Sequence, residues 1–297
     1  MLSFFFAESM FNLVLNIIII LIGVAFFTLM ERKILSLIQL RVGPNKPSYM
    51  GLLVPFADAL KLITKENNIP QGSNKLLYLL LPLFTLMIPL NMWVLNPSNM
   101  SSLTTKSGLL FFLCLSSLGV YAIMFLGWSS NSKYSLMGAI RSVAQTISYE
   151  VTMAIIIIHH VIINMYMLKN LGVTPTNFFI IIMVMMMISM LAESNRAPFD
   201  FAEGESELVS GFNTEFSSIP FVLIFLAEYT MMFFMSLLCS LLFFSTHLYM
   251  FFFLLMVFFF IWARGTLPRF RYDQLMMMAW KSLLPLVLGS LLLITST

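Results

Sequence analysis

Long apolar stretches broken by short polar clusters run through the chain from one end to the other. Read at the length that a bilayer crossing needs, about 20 mostly apolar residues, the pattern predicts eight membrane-spanning helices. They fall at about 10–31, 76–95, 107–128, 142–166, 176–192, 217–244, 247–263 and 277–296. The sixth and seventh form one continuous run, divided only near Ser245-Thr246-His247. There is no internal repeat, low-complexity linker or sign of a second unit. Residues 1–297 are therefore expected to form a single integral membrane domain, an all-α polytopic membrane protein.

The first polar connection is long enough to hold structure of its own. In GLLVPFADALKLITKE, residues 51–66, Leu52, Phe56, Leu60 and Ile63 fall on one helical face, with Asp58, Lys61 and Lys65 opposite. Pro55 is tolerated in a first turn. The segment is too short and too charged to span, which predicts an amphipathic helix at the membrane surface. An ordinary surface helix and a partner-covered one remain alternatives.

Composition sharpens this picture. With 60% hydrophobic and 10% charged positions and 30 Phe, the chain is far too apolar for a water-soluble globule, in which about a quarter of residues are charged. The net charge of +3 comes from scattered basic residues, and nothing points to nucleic acid. Cys114 and Cys239 lie singly inside apolar runs and read as small buried thiols. The opening MLSFFFAESMFNLVLN has no Lys or Arg before its apolar segment and resembles neither a signal peptide nor an Arg-rich transit peptide. Insertion where the chain is made is expected, in a bacterial inner membrane or by organellar synthesis, and the 25 Met fit the biased codon usage of an organelle genome.

Basic residues also set the topology. The odd-numbered connections hold Arg32, Lys33, Arg41, Lys46, Lys61, Lys65, Lys75, Lys133, Arg141, Arg196, Arg264, Arg269 and Arg271, whereas the other side holds Lys106 and Lys169. Lys281 stands just inside the last span. By the positive-inside rule the odd connections face the cytoplasm or matrix.

Against this background the acids are unevenly placed. Glu150 lies about nine residues, roughly 13 Å, along its helix from Arg141, and Glu228 is similarly deep in the sixth span. Carboxylates at such depth are costly and usually face a cavity or the bundle interior. Either could make a structural hydrogen bond across helices; two of them, with Glu193 closing the fifth span, favour a proton relay. The connection LAESNRAPFDFAEGESELVSGFN, residues 191–213, gathers Glu193, Asp200, Glu203, Glu205 and Glu207 with only Arg196 to offset them. Pro198 is expected to interrupt the fifth helix. Beyond it Glu203 and Glu207 would share a helical face with Glu205 pointing elsewhere. Such repulsion keeps a proton shared among them. Gly204 and Gly211 suggest close backbone approach. A plain solvated loop is the duller alternative, but the apolar interleaving argues against it. The arginines of RGTLPRFRYDQLM, residues 264–276, are either positive-inside anchors or counterions for the acids. No GxGxxG, P-loop, HExxH or Cys-rich cluster is present.

The stretches ERKILSLIQLRVGPN, PFADALKLITKE, GAIRSVAQTISYEVTMAI, LAESNRAPFDFAEGESELVSGFN and PRFRYDQLMMMAWK resemble the chain 1 family of NADH:ubiquinone oxidoreductase, respiratory complex I, most closely its mitochondrially encoded form. The likeness covers essentially the whole chain. It implies a core membrane subunit beside the quinone site, with ubiquinone as substrate and no redox centre of its own. FMN and iron–sulfur clusters would reside in partner subunits. Those partners would be soluble quinone-site subunits on the inner face, and small and antiporter-like membrane subunits laterally. The location implied is the mitochondrial inner membrane, with charged loops in the matrix. Carried over residue by residue, a relay would run from Asp200, Glu203, Glu205 and Glu207 through Glu193 to Glu150 and Glu228. Glu31, Arg32, Arg41, Asp58, Lys61 and Arg196 would border the quinone tunnel. No catalytic or metal-binding residue is implied.

Competing readings are the membrane subunit of a related proton-pumping hydrogenase, a stand-alone ion or proton transporter, and a structural anchor. A transporter should show inverted repeats and broken helices, and an anchor leaves Glu150 and Glu228 unexplained.

Overall fold

The computed structural model describes residues 2–96, 107–169, 176–200, 211–244 and 248–296. Among them every regular element is helical. The helices are α1 (Leu2–Ile38), α2 (Val54–Thr64), α3 (Lys75–Met92), α4 (Gly108–Ser129), α5 (Lys133–Lys169), α6 (Thr176–Glu193), α7 (Ser218–Phe243), α8 (Tyr249–Thr266), α9 (Tyr272–Met277) and α10 (Leu284–Ser296). A π-helical turn, Met278–Leu283, joins α9 to α10, and short 3-10 turns lie at Trp93–Leu95 and Gly211–Asn213.

Among the described residues seven helices are long and apolar enough to cross a membrane: Val14–Ile38, Lys75–Leu95, Gly108–Ser129, Lys133–Ile163, Ser218–Phe243, Tyr249–Thr266 and Tyr272–Leu293. The expected fifth span coincides with α6, Thr176–Glu193. The expected division at 245–247 lies outside the described residues.

Several helices outrun their apolar stretches because nothing in the sequence breaks them there. α1 continues to Ile38 and carries Glu31, Arg32 and Lys33 within the helix. α5 begins at Lys133, so Arg141 sits two turns inside it. The last helix begins at Tyr272, five residues ahead of the expected boundary. α6 ends at Glu193, as its apolar stretch implied, ahead of Pro198. Asn195 takes a left-handed φ of 49°, a common way to end a helix, and Pro198 disfavours helical backbone just before it.

The bundle is organised around two helices. α7 packs against α1, α2, α3, α6 and α8, while α5 packs against α4, α6 and α10. Within the spans, half of the α7 residues and 56% of those in α5 are buried, against 22–28% for α1, α4, α8 and the last helix. The helices that carry Glu150 and Glu228 are thus the most enclosed. Cys239 is buried in α7, but Cys114 is exposed, against expectation. It shares the outward face of α4 with Leu110, Phe111 and Leu118.

The expected close approach at Gly211 is present, with Gly138 of α5 as its partner. A Cβ on Gly138 would stand 2.8 Å from the Gly211 Cα and 2.9 Å from the Phe212 nitrogen. Gly138→Ala should therefore destabilise by about 1–3 kcal/mol, read as a lower midpoint of thermal unfolding. Gly289→Ala, where a Cβ meets nothing within 4 Å, should be neutral or stabilising because it removes a flexible residue from a helix.

Candidate functional site

The turn after α6 delivers Arg196 into the bundle. Its side chain is 12% exposed and reaches Glu31 of α1 and Glu228 of α7, each at 3.7 Å. The guanidinium lies 4.1 Å from the centre of the Tyr229 ring, a cation–π arrangement. Tyr229 donates its hydroxyl proton to Glu31 Oε2 at 2.7 Å. Arg264 of α8 donates to the other oxygen, Glu31 Oε1. Two carboxylates and two guanidiniums make the cluster formally neutral, the condition under which buried ions are tolerated. Burial works against the Arg196 charge, but Tyr229, Glu228 and Glu31 outweigh it and hold the group protonated, above its ordinary range. Arg196 therefore supplies a fixed charge at any physiological pH.

Glu228 lies at the boundary between this cluster and a cavity. The cavity encloses about 770 Å³ of space free of atoms, including its open side, between α3, α4, α5, the end of α6 and α7. Glu150, Glu193 and Glu228 all line it, together with Ser116, Thr146 and Asn195. Ser116 donates to Glu150 Oε1 at 3.1 Å. Glu193 Oε2 and Asn195 Oδ1 are sealed from solvent and accept no hydrogen bond from the protein. Two acceptors without a donor, in a space of this size, suit water or an exchangeable proton. α3 helps to shape the wall. Pro89 lacks the N–H that would bond the Thr85 carbonyl one turn back, and both residues face the cavity.

One side chain holds the turn in place. Gln145, fully buried in α5, donates to the Ala192 carbonyl at 2.8 Å and to the Phe199 carbonyl at 2.9 Å. It thus brackets the turn from the residue before Glu193 to the residue before Asp200. Phe270 bonds the Pro198 carbonyl through its backbone N–H at 3.2 Å and stacks on Phe199. Arg269 lies 3.6 Å from Asp200. Past the acidic stretch, Tyr78 donates to the Glu215 carbonyl at 2.7 Å and stacks on Phe216. Both flanks of that stretch are therefore tied to the bundle, while Glu203, Glu205 and Glu207 lie outside the described residues.

The remaining sequence candidates lie beside Glu31, around the same C-terminal end of α1. Arg32 pairs with Asp58 of α2 at 2.8 Å, both about half exposed, a pair that adds at most about 1 kcal/mol. Phe26 meets Phe56 edge-on at 5.9 Å. Arg41 and Lys61 are exposed. Tyr229, Gln145, Asn195 and Ser116 were not singled out by sequence. Adjacency to Glu228 pointed to Tyr229 alone. Arg264, expected as either an anchor or a counterion, is a counterion of Glu31. Among the described residues no group of three or more His, Cys, Asp or Glu is placed to hold a metal ion.

The described residues form an apolar helical bundle in which a formally neutral ion cluster adjoins a carboxyl-lined cavity. The profile of the NADH dehydrogenase family matches residues 11–295, and the chain belongs to that family. It is 51% identical over 293 residues to NADH-ubiquinone oxidoreductase chain 1 of Aedes aegypti, covering 95% of this chain and 94% of the relative. It is 51% identical over 290 residues to the chain 1 of Locusta migratoria (94% and 92% covered). Identity to the chain 1 of the koala, Phascolarctos cinereus, is 47% over 295 residues (94% and 93% covered).

Proposed function

We propose that this chain is a core membrane subunit of proton-pumping NADH:ubiquinone oxidoreductase. In it, residues 31–66 and the turn at 193–200 border the path of ubiquinone, and the carboxyls of the central cavity carry charge away from it. The observation that carries this reading is the cluster at Arg196. One guanidinium touches both Glu31, a tunnel candidate, and Glu228, a relay candidate on the cavity wall.

Reduction of ubiquinone consumes two electrons, supplied from an iron–sulfur cluster of a partner subunit, and two protons. Charge therefore changes transiently beside the cluster, and a balanced set of ions answers by changing its pairing or its protonation. Arg196 stays charged, so the response falls on the carboxyls. Glu228 transmits it to the cavity, where Glu193 and Glu150 exchange protons across water. Asp200, Glu203, Glu205 and Glu207 form the inner mouth of this path. The chain itself holds no redox centre; FMN and the iron–sulfur clusters belong to partners.

The whole chain acts as one membrane domain crossing the mitochondrial inner membrane eight times, with α6 as the additional crossing. Arg32 to Lys75, the acidic turn and residues 267–271 face the matrix, where soluble quinone-site subunits dock. α2 lies in the membrane surface, its exposed Phe56, Leu60 and Ile63 toward lipid or incoming quinone. Antiporter-like and smaller membrane subunits adjoin laterally. Illumination of the intact enzyme with a photoreactive ubiquinone should label peptides within residues 31–66 or 191–200, and a quinone-site inhibitor should suppress the label. Labelling confined to other subunits would refute the tunnel assignment.

A further inference from the structure

The last helix carries a charge that the proposed mechanism does not use. α9, the π turn and α10 form one helix whose buried stripe, Leu275, Ala279, Leu283, Val287 and Ser290, packs on α5. The opposite face exposes Met277, Trp280 and Leu288. Within that apolar face stands Lys281, also exposed.

The charges of the central cluster and Glu150 are answered inside the chain. Arg196 and Arg264 meet Glu31, Arg196 meets Glu228, and Ser116 bonds Glu150. Among the described residues Lys281 has no such ion pair. Lys281 is the tenth residue of the 22-residue candidate span Tyr272–Leu293 and lies six residues, roughly 9 Å, along the helix from the buried Leu275. An ammonium at such depth calls for an anion at the same level. The π turn that contains Lys281 is an independent mark, since such turns are rare and concentrate at functional sites.

We propose that this face is a lateral docking surface for a second membrane-embedded chain, which presents a carboxylate to Lys281 inside the bilayer. Met277, Trp280 and Leu288 supply the surrounding apolar contact. The inference rests on the reading of this chain as a subunit of a larger membrane enzyme.

The test uses membranes containing the assembled enzyme and dicyclohexylcarbodiimide, a bilayer-permeant reagent. The partner carboxylate adds through oxygen to the carbodiimide carbon while the Lys281 ammonium gives a proton to its nitrogen, leaving an O-acylisourea and a neutral Lys281 amine. The Lys281 nitrogen attacks its acyl carbon, the C–O bond to the isourea breaks, and an amide forms as dicyclohexylurea leaves. Mass spectrometry should then find Lys281 joined to an Asp or Glu of another chain. Lys281→Glu should lower the retention of that chain at least several-fold on a native gel, and Lys281→Arg should restore it. Absence of the cross-link together with a full subunit complement in the Lys281→Glu enzyme would overturn the proposal and assign the lysine to lipid headgroups. Failure of this chain to migrate with any NADH-oxidising complex would instead refute the subunit reading on which the proposal rests.

Discussion

Arg196→Leu is expected to remove most of the assembled, quinone-reducing enzyme. The substitution keeps an apolar side chain in the turn but takes away the cation between Glu31 and Glu228. Glu31 keeps Arg264 and Tyr229, whereas Glu228 loses its guanidinium. Removing one partner of a buried pair typically costs about 3–5 kcal/mol, a large share of a domain's whole stability. Inhibitor-sensitive NADH:ubiquinone activity should fall to roughly a tenth or less of the normal value. The native-gel band of the enzyme should weaken in parallel. Arg196→Lys should recover part of both, because an ammonium restores charge but cannot serve two carboxylates and a tyrosine ring at once. A leucine variant with normal assembly and activity would show that the cluster neither stabilises the turn nor serves the quinone.

Glu150→Gln should act differently. The amide fills nearly the same volume and can still accept from Ser116, whose hydroxyl lies 3.1 Å from the carboxyl, so assembly should be preserved. What it removes is the ability to take up and release a proton. NADH oxidation with a hydrophilic electron acceptor should be unchanged, while proton translocation falls by on the order of tenfold or more, the usual scale for loss of a proton-transferring group. Ser116→Ala, which removes only the donor to Glu150, should have a much smaller effect. Proton translocation that survives Glu150→Gln intact would remove Glu150 from the path.

The two substitutions separate what the sequence revealed from what needed the fold. Glu150 and Glu228 stood out by themselves, because a carboxyl in the middle of an apolar run violates the surrounding pattern. Their meeting at one cavity was not readable: it depends on how α5 and α7 are rotated about their axes, and α7 is apolar on nearly every side. Arg196 was visible as the single cation among acids, but its insertion between α1 and α7 follows from the helix end at Asn195 and from the hold of Gln145. Gln145 looked like any polar residue in a helix. Its role comes from two carbonyls 47 and 54 positions away, a relation that periodicity cannot encode. Helix ends were misjudged where polar residues continue a helix past its apolar stretch, as at Ile38 and Tyr272. The Gly211 approach was legible because a glycine beside bulky residues signals a backbone contact; its partner, Gly138, was not.

The most direct test of the proposed link between quinone and relay sites is the number of protons translocated per NADH oxidised by the Glu228→Gln enzyme in sealed vesicles. Glu228 touches both the Arg196 cluster and the cavity, so the variant interrupts the link while leaving quinone access open. We expect inhibitor-sensitive ubiquinone reduction to persist and the proton ratio to fall to less than half of that of the unmodified enzyme. An unchanged ratio in fully assembled enzyme would mean that charge leaves the quinone site by a route that does not pass through Glu228.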